Sequence, residues 1–413
     1  MLHKLTREFN FFQSHALGMR MLLLTNLIYA LVMPIVELFV GAYIMRNSTD
    51  VSLVVIFQLA VYTGIPLTFM INGFLLRSIP IARLYSLGML LSGISMFAMM
   101  SLDQLDTLGV FFAGLIMGLS YGFFWANRDF LALNTTVDDN RNYYYGIETF
   151  FYTVTGIVVP LAAGAFIAAS EQNGWFGGHI NVAYHFLTVG VFLLSVFASV
   201  LVHRGKFNNP KNAPFLFFKF SSLWNKMLGL ASLKGVAQGY IVTAPTMLIM
   251  TLVGKEGSLG LIQGIAAAIS AVLLYVLGRV TGPSHRLLIY GIGCGLFVLG
   301  ALFNASLYSA EGVILFMLCL LFARPLLDIA YFPVQLKVID VVSHQENRNE
   351  FAYIFNHELG LYLGRLFGCG LFIVLARYVS EYSALRYALL VIAIVHFMGY
   401  FSMKGIVRTL EKQ

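Results

Sequence analysis

The stretch LCLLFARPLLDIAYFPVQL, Leu318 to Leu336, is apolar at both ends yet carries Arg324, Pro325 and Asp328 near its middle. With the residues just before it, it forms a run at 312–336, longer than the roughly 20 apolar residues that cross a hydrocarbon core of about 30 Å as a helix. Working outward, eleven further runs of this kind occur, at 21–45, 51–76, 84–101, 107–133, 146–170, 182–202, 227–253, 258–278, 287–308, 351–376 and 384–403. Of the 413 residues 59% are hydrophobic and 11% are charged, against about 25% charged in soluble domains. Lipid leaves no solvent partner for backbone amides, so such runs must be helical. The alternating pattern of a membrane barrel is absent. The fold class expected is an all-α membrane protein with twelve transmembrane helices.

Basic residues orient the chain. With the N-terminus inside, the cytoplasmic segments hold Lys4, Arg7, Arg20, Arg77, Arg83, Arg141, Arg204, Lys206, Lys211, Lys219, Lys226, Arg279, Arg286, Lys337, Arg348, Lys404, Arg408 and Lys412. The opposite face holds Arg46, Lys255, Arg377 and Arg386. That bias places both termini in the cytoplasm, and it accounts for the net charge of +7 without nucleic acid. The first span is expected to serve as an uncleaved insertion signal. Cys294, Cys319 and Cys369 all fall inside spans and lack metal-ligand spacing, so they are expected to pack rather than pair.

The longest polar break, HRGKFNNPKNAPFLFFKFSSLWNK, separates six spans from six. Its position predicts a first unit at 1–203, a connector at 204–225 and a second unit at 226–413. RSIPIARLYSLG (77–88) and VTGPSHRLLIYG (280–291) share Pro80/Pro283, Arg83/Arg286 and Gly88/Gly291 at an offset of 203. DNRN (139–142) and ENRN (346–349) match at an offset of 207. Parallel six-helix repeats are a transporter architecture.

Over essentially its whole length the chain resembles the major facilitator superfamily, through its twelve spans, basic connector and the loops after the second and eighth helices. The resemblance implies two pseudo-symmetric six-helix bundles, with helices one, four, seven and ten lining a central cavity. GFLLRSIPIAR keeps Gly73 and Arg83 of the loop signature, but Arg77 replaces its aspartate and Pro80 its second glycine. In TGIVVPLAAG, Pro160 and Gly164 match part of a pattern associated with the family's exporters. Close packing at a helix bend explains the same residues.

A charge at the bilayer centre costs roughly 2.5–3.5 kcal/mol on insertion scales and is normally turned inward for function. Arg324 and Asp328 are i and i+4 on one face, with Tyr331 and Gln335 continuing the stripe. Shifted by 207, Tyr121, Phe124, Trp125 and Arg128 fall on Asp328, Tyr331, Phe332 and Gln335. Span eleven sets Glu358, Tyr362 and Arg365 on one face, and span one contributes Asn26 and Glu37. Expected substrate contacts are therefore Tyr121, Trp125, Arg128, Arg324, Tyr331 and Arg365, and expected proton carriers are Glu37, Asp328 and Glu358. Each has a bland alternative: a self-contained Arg324–Asp328 pair, aromatic packing, a cytoplasmic gate at Arg128 and Asp129, or a hydrated rim at Glu37. Lys234 is expected to snorkel to the interface. His357, beside Glu358 but on another side, is expected to pack.

The function expected is secondary transport of a small organic solute, anionic or zwitterionic, amphiphilic ones included, by alternating access coupled to protons. Neither a nucleotide-binding loop nor a soluble domain is evident. The partners expected are the solute, protons and membrane lipid, with no cofactor and no nucleic acid, for a monomer in the bacterial inner (plasma) membrane. Arginine's planar fork of donors suits a carboxylate or phosphate. Two other classes stay open: a membrane-embedded enzyme acting on a lipid-linked substrate, encouraged by His357–Glu358, and a receptor or scaffold.

Overall fold

In a computed structural model of the protein the described residues are 10–136, 138–209, 216–217, 219–280, 282–348 and 350–411. Among them, twelve helices are long and apolar enough to cross a membrane. They are α1 Leu17–Asn47, α2 Ser52–Leu75, α3 Ile81–Met100, α4 Thr107–Thr135, α5 Asp138–Gln172, α6 Asn181–Val202, α7 Ser222–Val253, α8 Glu256–Val280, α9 Arg286–Leu307, α10 Ala310–Glu346, α11 Glu350–Tyr378 and α12 Glu381–Leu410. The chain is a multi-pass integral membrane protein.

Several starts follow from capping. The side chains of Asp106, Ser221, Ser309 and Ser380 accept hydrogen bonds from backbone N–H groups at the beginnings of α4, α7, α10 and α12. α10 outruns its apolar pattern, continuing to Glu346 because Val338, Ile339 and Val342 keep one face buried beyond the greasy run. α7 is broken rather than continuous. Its regular part ends at Ile241, and after a turn it resumes as Ala244–Leu248 and a wider π turn, Ile249–Val253.

Most helices pack within α1–α6 or within α7–α12, but α5 and α8 pack most heavily on each other; α2–α11, α1–α7 and α2–α7 are the other principal contacts between the sets. Glycines set the tightest seams. A Cβ on Gly364 of α11 would lie 1.9 Å from the Ser232 carbonyl oxygen of α7, so no side chain fits there. That closeness brings the polar side chains of α7 and α11 together. Pro160 and Gly164 likewise serve close packing: a Cβ on Gly260 of α8 would lie 2.3 Å from the Pro160 carbonyl oxygen.

The start of α1 lies against the ends of α4 and α6, and Lys226 at the start of α7 reaches Thr409 at the end of α12 (3.3 Å). These ends form the connector face; the other is the far face. On the connector face, Asn209 accepts from the Ile81 N–H (2.7 Å) and donates to the Leu76 and Ile79 carbonyls (2.8 and 2.9 Å), clamping the atypical RSIP loop. On the far face the sets are tied by ions. Arg46 of α1 meets Glu256 of α8 (2.5 Å) and Glu171 of α5 (3.2 Å), and Arg377 of α11 meets Asp50 (3.2 Å). Lys4, Arg7, Lys211, Lys412 and Asn349 of the ENRN loop lie outside the described residues.

Candidate functional site

A cavity of about 580 Å³ lies at mid-depth, walled by α1, α2, α4 and α5 and by α7, α8, α10 and α11. Of the nine expected site residues, Glu37, Tyr121, Trp125, Arg324, Asp328 and Arg365 line it, whereas Arg128, Tyr331 and Glu358 do not. Most of the wall is apolar. A few polar groups converge on it, as in pockets that orient an organic ligand.

Arg324 opens onto this space, and its Nη2 donates to the Ile241 carbonyl (2.7 Å) at the break in α7. In an unbroken helix that carbonyl would accept from residue 245, but Pro245 has no N–H to give. Proline thus frees an acceptor and the arginine takes it. Arg324 forms no ion pair among the described residues.

The expected Arg324–Asp328 pair is not formed. Asp328 instead accepts from Lys234 of α7 at 2.9 Å. The freed Ile241 carbonyl draws Arg324 toward α7, while Lys234, projecting from the same helix, reaches Asp328. Lys234 consequently does not snorkel: it is only 8% exposed, with its ammonium 4.0 Å from the ring centroids of both Tyr331 and Phe332. Tyr331 stands outside the main cavity. It is buried with its hydroxyl 2.6 Å from His357 Nε2, and it borders a smaller side pocket rather than the main cavity. His357 therefore holds a tyrosine inside the core.

Arg365 is committed to its neighbours. Nε and Nη2 donate to Gln238 Oε1 (3.1 and 2.9 Å), Nη1 pairs with Glu358, and the guanidinium lies 4.6 Å from the Tyr62 ring centroid. The Glu358–Arg365 face predicted from spacing thus forms, but Tyr362 does not bridge it; its hydroxyl meets Thr63 Oγ1 of α2 (3.2 Å). The network runs to α7 and α2 rather than directly to α10. Glu358 and His357 face different partners, so the feature that encouraged an enzyme dissolves.

Arg128 is set back from the cavity in a second network. Nε donates to Glu148 Oε1 (3.0 Å), Nη2 pairs with the other oxygen, and Nη1 meets Asp129 (2.8 Å). Asn26 donates to Glu148 (2.6 Å) and to the Tyr144 hydroxyl (3.0 Å), and Tyr85 donates to Asn26. Arg128 is therefore neutralised in place, with Trp125 beside it at 5.3 Å on the cavity side. Sequence reasoning missed Glu148, which sits at the polar entrance of span five and passes there for a surface acid.

Glu37 of α1 lines the cavity and has no hydrogen bond or ion pair among the described residues. Gln58, Tyr62, Gln238, Thr243, Gln263 and Ser270 complete the polar lining. Gln58 and Gln263 were also missed, although their offset of 205 falls between the two repeat offsets. Among the described residues no cluster of three His, Cys, Asp or Glu side chains is arranged to hold a metal.

No family model matches the chain. Among curated proteins it is similar to the uncharacterized protein YqgE of Bacillus subtilis, 23% identical over 96% of this chain and 91% of that protein. It also resembles a protein encoded in the sodM 3′ region of Geobacillus stearothermophilus, 26% identical over 34% of this chain and 66% of that protein. Among solved structures, the nucleoside transporter NupG superposes with a TM-score of 0.68 at 12% identity, over 94% of this chain and 98% of that one. A bacterial homologue of the iron transporter ferroportin gives 0.64 at 15% identity, over 93% and 98%, and the peptide transporter POT gives 0.70 at 12%, over 96% and 95%. The chain shares its fold with these transporters.

Proposed function

We propose that the protein is a secondary transporter that moves a small zwitterionic or anionic organic solute by alternating access, coupled to protons. One observation carries this reading: the central cavity presents a guanidinium, Arg324, and a carboxylate, Glu37, neither of them spent on an ion pair. Every other interior arginine has a carboxylate partner. A solute carrying one negative and one positive group would satisfy both, and an anion alone would satisfy Arg324. Glu37 is the proton site in this reading, because a carboxylate outside any ion pair exchanges a proton without breaking one. Asp328 and Glu358 would have to release Lys234 and Arg365 first.

The units 1–203 and 226–413 would rock about the cavity, with residues 204–225 as the link. Most helix pairs pack within one set, and the seams between the sets run chiefly along α5–α8 and α2–α11, which supports this division. The basic-residue bias supports cytoplasmic termini, and the bacterial sources of the curated relatives support a bacterial plasma (inner) membrane. Purified protein in liposomes tests the proposal. An imposed pH gradient should drive accumulation of a labelled neutral amino acid or carboxylate, and Glu37→Gln should uncouple it. Gradient-independent behaviour of every such solute, with the wild type bound to them and folded, would sink proton coupling. Chemical conversion of a solute would sink transport.

A further inference from the structure

A second cavity of about 230 Å³ lies within the C-terminal set, between α7, α9, α10 and α12. Gln238, Val242, Arg324 and Asp328 border both cavities, so the boundary between them runs past the unpaired guanidinium. Its wall includes His396 of α12, which is 2% exposed. The His396 Nδ1 lies 3.0 Å from the Leu233 carbonyl. A carbonyl only accepts, so Nδ1 carries the proton and the neutral ring keeps Nε2 as an acceptor. That Nε2 is buried with no partner among the described residues. Buried polar atoms are normally satisfied, and those that are not call for a ligand or water.

We propose that this side pocket is a second subsite for the transported solute. It takes a neutral hydrogen-bonding substituent, a hydroxyl or an amide, whose O–H or N–H donates to His396 Nε2 while Arg324 holds the solute's carboxylate. The inference rests on the zwitterion reading above. Lys234 and Asp328, which stand in the pocket, already neutralise each other, so a charged substituent finds no free counter-charge there. Ala237, Ile241 and Leu327 supply apolar walls for the carbon chain that carries the substituent. The volume exceeds the roughly 30 Å³ of one water several-fold, enough for a side chain.

The test is calorimetric titration of the purified full chain in nanodiscs with amino acids paired by a single hydroxyl or amide: alanine with serine, leucine with asparagine, phenylalanine with tyrosine. In at least one pair the polar member should bind about tenfold tighter, the effect of one well-made hydrogen bond. His396→Phe should bring that ratio to about one, and His396→Gln, which keeps an acceptor, should retain most of it. Ala237→Leu narrows the pocket from α7 without touching His396, and it should weaken the polar member selectively. It decides the matter should His396→Phe fail to fold. Equal affinities within every pair of the wild type, or a preference that survives both His396→Phe and Ala237→Leu, would overturn the subsite and leave the central cavity standing. Failure of all six compounds to bind the wild type would remove the zwitterion reading and the subsite with it.

Discussion

Arg128 and Arg324 sit on repeat-related helices, four and ten, and share one chemistry, yet the molecule treats them oppositely. Arg128 is wrapped by Glu148, Asp129 and the Asn26–Tyr144 network, away from the cavity. Arg324 faces the cavity, hydrogen-bonded to a proline-freed carbonyl and without an ion pair among the described residues. The first arrangement makes the arginine a structural member, since removal of its partner leaves a buried charge uncompensated. The second leaves donors for something that comes and goes. A buried arginine in a membrane helix therefore reports function only when its counter-charge is missing from the same protein.

Breaking the Arg128 side should produce the largest effect. Glu148→Ala should cost about 3–5 kcal/mol, the usual loss when one partner of a buried pair is removed, seen as a fall in the thermal unfolding midpoint of the purified protein. The double change Arg128→Met with Glu148→Leu should recover most of it. A mild single mutant would mean that Arg128 is not structurally committed.

On the other side, Arg324→Lys should lower solute affinity about 100-fold, because an ammonium lacks the planar fork. Its unfolding midpoint should stay near that of the wild type, since no carboxylate is left stranded. A large loss of stability with unchanged affinity would reverse the roles assigned to the two arginines.

Glu37→Gln should flatten the pH dependence of uptake and reduce gradient-driven accumulation about tenfold, while exchange of solute across a zero gradient continues. Retention of full uphill transport would move the proton site elsewhere, with Asp328 next to be tested.

Pro245→Ala should have the smallest effect. It gives the Ile241 carbonyl an N–H partner and competes with Arg324 for that acceptor, so affinity should change only about threefold, within the range of one hydrogen bond. A change as large as that of Arg324→Lys would show that the break in α7, rather than the arginine's charge, builds the site.

The spans themselves were readable because lipid punishes every unpaired backbone group, so runs of apolar residues admit one solution. The stripes were readable in part: Tyr121, Trp125, Arg324 and Asp328 face one space, whereas Arg128 and Tyr331 of the same stripes lie outside it. Glu358 and Arg365, seven residues apart, also meet as helix geometry demands. What failed was partner choice. Spacing along α10 offered Asp328 to Arg324, but Lys234 of α7 took the carboxylate and Ile241 took the arginine. Glu148 escaped notice since its partner lies twenty residues away on another helix.

Hydropathy and helical period thus dictated how many helices cross, which faces turn inward and roughly how deep each charge lies, because these depend on local composition and a fixed rise per residue. Which charges neutralise each other, and which are left for a solute, emerged only when α7 met α10 and, across a glycine seam, α11. Coulomb attraction and hydrogen bonding act over a few ångströms, and that proximity belongs to the packed helices rather than to the order of residues along any one of them.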